Sequence, residues 1–449
     1  MTAARGSGDL RQQRPGKAAP PTAPPPKKLL VYKQGRLIFL RSNPPAPMHF
    51  NYLALALPLF LSFILIEYRY SIRKKKGYFR FAETVANLNV GMAERLTDLL
   101  TAGSFYFLYR YLFDHFRLAT IPAHWASWVL LFFATDFIWY WYHRLAHEVN
   151  LFWAAHIVHH QSEDFNYSTS TRITVFQAGI RGSFWAILPV TGFPPEMITT
   201  FLLVHGAYPF FTHTQTIGKL GILEHFLVTP SHHRVHHASN EAYLDKNYGD
   251  ILIIWDRIFG SFAREQEPPV FGIVKPLRSY NFLWQHFHQF LELAVAVRRE
   301  AGLTAKIRLL AGRPSEIDPR IRPFLERKLL RRQPAPLPAG LKRYVFFQTA
   351  ATVLLLFALL LLEHYLTRTQ LLLASLFLLV SIINSGALLE QQRRIFYLEL
   401  LRVLVLLLLL NNYYVNLYFA WACLSAYLLL LAFHRPLRNR YFALLFHPG

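Results

Sequence analysis

Cysteine is nearly absent: Cys423 is the one thiol in 449 residues, and it lies inside an apolar run. That excludes an intrachain disulfide framework and any metal site built on two or more thiolates, so a metal here must be held by nitrogen and oxygen. Charge is scarce too, at 16% of residues against 53% hydrophobic, which excludes an ordinary soluble fold and points to a membrane protein. Acidic residues are the rarer sign, 26 against 48 basic, for a formal net charge of +22. The basic excess gathers beside apolar segments, as in RYSIRKKKGYFR (69–80) and EQQRR (390–394). We therefore read it as membrane topology and not as nucleic-acid binding.

Residues 1–47, with GKAAPPTAPPPKK at their centre, are Pro-rich and basic and lack an apolar h-region, so neither a core nor a signal peptide is expected from them. They read as a disordered extension, and Met48, just before HFNYLALALPLFLSFILIEY, reads as an alternative start. Apolar runs of spanning length fall at about 52–67, 97–113, 124–142, 344–363, 370–388, 395–411 and 413–433. A further run, 184–211, is interrupted by Pro194 and Pro195 and reads as a hairpin of two short helices that need not cross. The expected fold is thus all-α and polytopic. Its parts are a membrane-embedded catalytic domain (48–290), a basic cytoplasmic loop (291–343) and C-terminal transmembrane helices (344–449). With the basic clusters inside, three spans deliver His143 to the cytoplasmic side.

Histidine is concentrated where charge is not. HRLAHEVNLFWAAHIVHH (143–160) holds His143 and His147 as HxxxH and His156, His159 and His160 as HxxHH. SHHRVHH (231–237) repeats HxxHH with His233, His236 and His237. Residues three or four apart share a helix face, so each box can aim two or three imidazoles at one point. Eight such ligands exceed the needs of one ion, which favours a dinuclear centre. His213, in FFTHTQ, returns to the same surface and is a ninth candidate. His205 reads equally as a ligand or a packed residue, and His232 as a neighbour that packs or hydrogen-bonds.

Ligand imidazoles usually pass their second N–H to a carboxylate. Asp136, seven residues before His143 on the same face, and Glu148, directly after His147, are the catalytic or outer-sphere candidates, with Glu148 also open as a metal ligand. Asp245 and Asp250 read either as partners of the third box or as turn and cap residues. The terminal HPG imitates a haem-binding loop but has no domain around it.

On these residues the chain resembles the membrane-bound fatty acid hydroxylase and sterol desaturase superfamily. DFIWYWYHRLAHEVNLFWAAHIVHHQSEDFNYST and TPSHHRVHHASNEAYLDKNYGDILIIWDRIFGSF are most similar to its alkylglycerol monooxygenase branch. The resemblance implies an oxidoreductase with two iron ions on the eight box histidines and an essential Glu148. It also implies ether-lipid cleavage supported by tetrahydrobiopterin or an external electron donor. The expected partners are a lipid substrate, the membrane and a separate electron donor. A lipid or sterol desaturase on the same centre is the nearest alternative, and a metal-binding transporter the alternative of another class. Transport calls for ionisable residues at mid-membrane depth along several spans, whereas these clusters follow the ends of spans.

Overall fold

A computed structural model describes residues 28–33, 36–41, 50–101, 103–330, 336–392 and 394–446. Met48, Arg393, most of the Pro-rich extension and the terminal HPG lie outside the described residues. The chain divides into two units, residues 1–50 and 51–449. Within the first, β1 (Lys28–Lys33) and β2 (Arg36–Arg41) pair antiparallel, Lys33 opposite Arg36, inside the stretch read from sequence as disordered.

The second unit is helical. Its amino-terminal part runs α1 (Ala56–Arg73), α2 (Phe81–Thr101), α3 (Ser104–Phe116), α4 (Trp125–Glu148), α5 (Asn150–His160), α6 (Val175–Trp185), α7 (Ile187–Thr191), α8 (Pro195–His205), α9 (Tyr208–Thr212), α10 (Pro230–His236) and α11 (Ile254–Ile258). Then follow α12 (Phe282–Arg299), α13 (Leu303–Ala311), α14 (Ile321–Leu329), α15 (Ala339–Leu362), α16 (Arg368–Leu389), α17 (Ile395–Tyr413), α18 (Leu417–Ala432) and α19 (His434–Phe446).

Four described helices are long and apolar enough to cross a membrane: Tyr52–Arg73, Ala339–Tyr365, Arg368–Leu389 and Ile395–Tyr413. A fifth span is reached if α18 and α19, bent by 74° at their junction, count as one. Two expected spans do not qualify. The run at 97–113 is divided between α2 and α3, with Gly103 in the left-handed region at φ 79°, and the α2 end carries Asp98. The run at 124–142 is continuous in α4, but Trp, Tyr and Asp136 dilute its apolar character. The 184–211 run folds as expected into short helices about Pro194 and Pro195, with Pro195 opening α8.

Two glycines set close approaches that carry the architecture. A Cβ at Gly91 on α2 would lie 2.7 Å from the Thr171 Cβ, so α2 lies against the 169–171 turn. A Cβ at Gly386 on α16 would lie 2.6 Å from the Tyr280 carbonyl, which joins the C-terminal helices to the start of α12. Within the stretch read as a basic loop, Ile317 and the α14 residues Ile321 and Leu325 pack into one core with Ile157 and Val158 of α5. Burial of that apolar surface, at about 25 cal/mol per Å², fixes the helix that carries the second histidine box.

The C-terminal helices are not free of charge. Glu399 accepts from Tyr344 (2.6 Å), Asn384 (2.7 Å) and Tyr441 (3.1 Å), and pairs with Arg402 at 2.6 Å. Four helices thus converge on one carboxylate.

Candidate metal centre

The last turns of α4 carry His143 and His147. One residue beyond it, α5 starts at Asn150, whose side chain donates to the carbonyls of Leu309 (2.8 Å) and Arg313 (2.9 Å). The α5 carboxyl end is closed by Arg172, fully buried, whose Nε donates to the Val158 carbonyl at 2.7 Å and whose Nη2 donates to Gln161 at 2.8 Å. A cation at a helix C-terminus satisfies orphan carbonyls and complements the dipole. Short α10 is started by TPSH: Pro230 takes the first turn, while the Thr229 N–H donates to His232 Nδ1 at 3.3 Å. His232 is therefore a capping residue, in line with its sequence reading.

These elements gather nine buried imidazoles into two groups. His143, His147, His156, His160 and His236 form the first; His159, His213, His233 and His237 form the second. Within each group the ligand-capable atoms lie within 4.8 Å of one another, and none of the nine residues is more than 8% exposed. The boxes do not each serve one point. Pairs four apart stay together (143 with 147, 156 with 160, 233 with 237), while His159 and His236, three residues on from His156 and His233, cross to the other group. A 3.6-residue period explains this: steps of three and four fall on opposite sides of one helical line.

The ring nitrogens reveal what the groups fit. His143 Nδ1 donates to the Tyr248 carbonyl (2.8 Å), His159 Nδ1 to Arg172 (3.1 Å), His213 Nδ1 to Pro209 (2.6 Å) and His236 Nδ1 to Lys246 (2.9 Å). A carbonyl only accepts, so each of these rings keeps its proton on Nδ1 and turns a lone pair outward from Nε2. His213 Nε2 lies 3.3 Å from His159 Nε2 and 3.0 Å from His233 Nε2, and His156 Nε2 lies 3.1 Å from both His143 and His160 Nε2. His147, His236 and His237 have Nε2 atoms buried with no hydrogen-bond partner. Converging lone pairs repel unless a cation sits among them, and the donor set is all imidazole, which suits iron, zinc or copper.

Electrostatics agree. Burial, reinforced by neighbouring imidazoles, pushes His143, His156, His159, His160, His233, His236 and His237 well below the usual histidine range. Burial takes His213 down to about 4. The rings are thus neutral at pH 7, as metal coordination requires. Aromatic walls exclude water: Phe165 stacks on His213 at 5.5 Å, Trp153 lies 5.1 Å from His147, and Tyr248 is 5.3 Å from the same ring.

Of the expected carboxylate partners, Asp136, Asp250 and Glu148 lie elsewhere, and Asp245 alone approaches a box ring. Asp136 accepts from the Ile251 (3.0 Å) and Leu252 (3.2 Å) amides and from Trp255 Nε1 (2.8 Å), and belongs to a third buried group with His205 and Asp250. His205 Nδ1 lies 2.8 Å from Asp250 and its Nε2 3.4 Å from Asp136. Burial alone would lower this imidazole, but the two carboxylates outweigh it and hold it at about 9. Glu148 pairs with Arg144 at 3.0 Å, and neither Glu148 nor Asp136 enters the histidine groups. Asp245 approaches His147 Nδ1 at 3.7 Å. Backbone carbonyls do the work expected of carboxylates, and nothing in a sequence pattern marks a carbonyl. Asp256, in WDRIFG, was equally silent; it accepts from the Tyr248 (2.7 Å) and Gly249 (2.8 Å) amides and so fixes the carbonyl beneath His143.

Several helices long and apolar enough to cross a membrane, together with a nest of converging imidazoles, fit a multi-pass membrane protein with a donor set suited to metal. Residues 128–261, which include all nine histidines, match the family model for fatty acid hydroxylase. The chain is 38% identical over 246 residues to an alkylglycerol monooxygenase of Homo sapiens, covering 54% of this chain and 55% of that protein. The corresponding protein of Danio rerio is 37% identical over 250 residues, 53% of this chain and 56% of the relative. An ornithine lipid hydroxylase of Rhizobium tropici is 29% identical over 134 residues, 30% of this chain and 40% of that one. The chain thus spans about half the length of the alkylglycerol monooxygenases it matches. No solved structure matches.

Proposed function

We propose that this protein is an oxygen-dependent membrane lipid monooxygenase with two irons, one on each histidine group, and that its substrate is an ether lipid of the alkylglycerol type. The observation that carries the reading is the pair of Nδ1-protonated rings, His159 and His213, whose Nε2 lone pairs meet at 3.3 Å inside a closed imidazole nest. The first iron would be held by His143, His147, His156, His160 and His236, the second by His159, His213, His233 and His237. Bound there, the irons would supply the oxygen activation needed to attack an unactivated carbon, with electrons from tetrahydrobiopterin or a separate electron donor.

The chain's own residues hold, orient and exclude. Carbonyls of Tyr248, Arg172, Pro209 and Lys246 lock the tautomers, and Phe165, Trp153 and Tyr248 keep water out. Topology supports a cytoplasmic centre: one qualifying span before His143 gives the same parity as three, and the basic stretches 298–343 and 390–394 then also lie inside. An alkyl chain would enter from the bilayer while its polar head stays at the interface. Alkylglycerol names in the relatives favour the ether-lipid reading. Two measurements test it together: iron per chain by elemental analysis, and product mass with alkylglycerol, oxygen and tetrahydrobiopterin as the two-electron reductant. A gain of one oxygen followed by aldehyde release supports the proposal; loss of two hydrogens assigns a desaturase, and zinc in place of iron overturns the redox reading.

A further inference from the structure

The first span is mostly uncovered. Only 17% of its apolar window is buried, and within α1 the buried positions are Ile64, Glu67 and Ser71. Steps of three and four place these on one stripe. A carboxylate on the sole covered stripe of a membrane helix is costly, and such residues mark function by default.

Glu67 is 2% exposed and reaches two separate segments. One oxygen accepts from the Tyr167 amide at 2.7 Å, and the other accepts from the Thr214 hydroxyl, which also meets the Thr216 hydroxyl at 2.8 Å. Thr214 directly follows His213. Tyr167 lies in the 164–172 stretch, which ends at the Arg172 carbonyl that orients His159 and contains Phe165, stacked on His213. The two segments are further joined by Gln215, which donates to the Phe165 carbonyl at 2.7 Å. Every one of these contacts serves the second histidine group. The first group draws its carbonyls from Tyr248 and Lys246, which Glu67 does not touch.

We propose that Glu67 is a positioning residue for the second metal: a membrane-helix carboxylate, outside the matched hydroxylase domain, that clamps the His213 loop to the segment orienting His159. The inference rests on the two-metal reading above. Its consequence is selective, because removing the clamp loosens His213 and His159 while leaving His143, His147, His156, His160 and His236 in place.

The test is iron content of the full chain, purified in detergent and loaded with ferrous iron alone, for wild type, Glu67→Ala, Glu67→Gln and Thr214→Val. Wild type at two irons per chain upholds the reading on which the inference depends; fewer sinks that reading itself. Glu67→Ala is expected to fall to one iron, with loss of the spectroscopic coupling between the two. Glu67→Gln is expected to keep both, since its amide can accept from Tyr167 and donate to Thr214, whose hydroxyl turns toward Thr216. Thr214→Val, which leaves both Glu67 and His213 intact, is expected to weaken the second iron and covers the case in which Glu67→Ala does not fold. Two irons retained in Glu67→Ala, loss of both irons together, or full retention in Thr214→Val overturns the proposal.

Discussion

His213 and His159 face each other through unprotonated Nε2 atoms 3.3 Å apart, each keeping its proton on Nδ1 and donating that N–H to a carbonyl behind it. A metal cation bound by both satisfies the two lone pairs. Replacing His213 by Ala is therefore expected to remove one metal and leave the other, and His236→Ala to remove the complementary one. Elemental analysis of both variants beside wild type checks this, with one metal per chain expected in each and none in the double variant; loss of all metal from either single change would mean a single shared site.

Acid should weaken the metal-free protein. Its His143, His156, His159, His160, His233, His236 and His237 take up protons only well below the ordinary value of about 6.5, and His213 near 4, because burial, and for the first seven the neighbouring rings, oppose the charge. Between these values the unfolded chain binds more protons, so stability is full above pH 6.5 and declines as pH falls toward 4. Thermal midpoints of chelator-stripped protein at pH 7.5, 6 and 5 should descend in that order. A level series contradicts the buried, neutral nest.

Asp136 is expected to matter through stability. Its oxygens hold two amides and the Trp255 indole and face His205, so Asp136→Ala leaves a buried imidazolium with one partner. Breaking such an arrangement costs about 3–5 kcal/mol. His205, held at about 9, adds stability that is complete below pH 6.5 and is lost as pH rises through 9. The variant should melt earlier than wild type at pH 7, with the gap narrowing at pH 9.5; an unchanged midpoint would show the group to be dispensable.

Glu148 makes a partly exposed pair with Arg144 and is not among the residues of either histidine group. Glu148→Gln should retain full metal and lose under about 1 kcal/mol of stability. Measured beside turnover, these two readouts isolate whatever the carboxylate contributes to chemistry; loss of metal would place it among the ligands after all.

The histidines were legible because imidazole is rare in apolar sequence and helical spacing is rigid. Even His213, outside any box, could be located from its return to the same surface. What spacing could not reveal was the partition, since HxxHH says that three rings are near and not which way each turns. The outer partners were illegible for another reason: carbonyls of Tyr248, Arg172, Pro209 and Lys246 are backbone atoms, and the sequence pointed instead to Asp136, which braces the 251–255 turn. Span counting failed where apolar runs hide structure, at Gly103 between α2 and α3 and along aromatic-rich α4. Glu67 was overlooked because a lone acid in an apolar run looks like noise until the fold shows what it grips.

Helix α5 gives His156 and His160 to one group and His159 to the other. As α10 does with His236 against His233 and His237, this ties the gap between the two sites to a turn of helical backbone, whose pitch of about 5.4 Å is among the stiffest lengths a protein owns. Surrounding loops can drift, and distant sequence can diverge, without altering that gap. A one-residue insertion between His156 and His160, by contrast, would rotate His160 by about 100° away from the group it shares with His156. Substrate preference can thus change through the walls while the separation of the pair stays inherited as a unit.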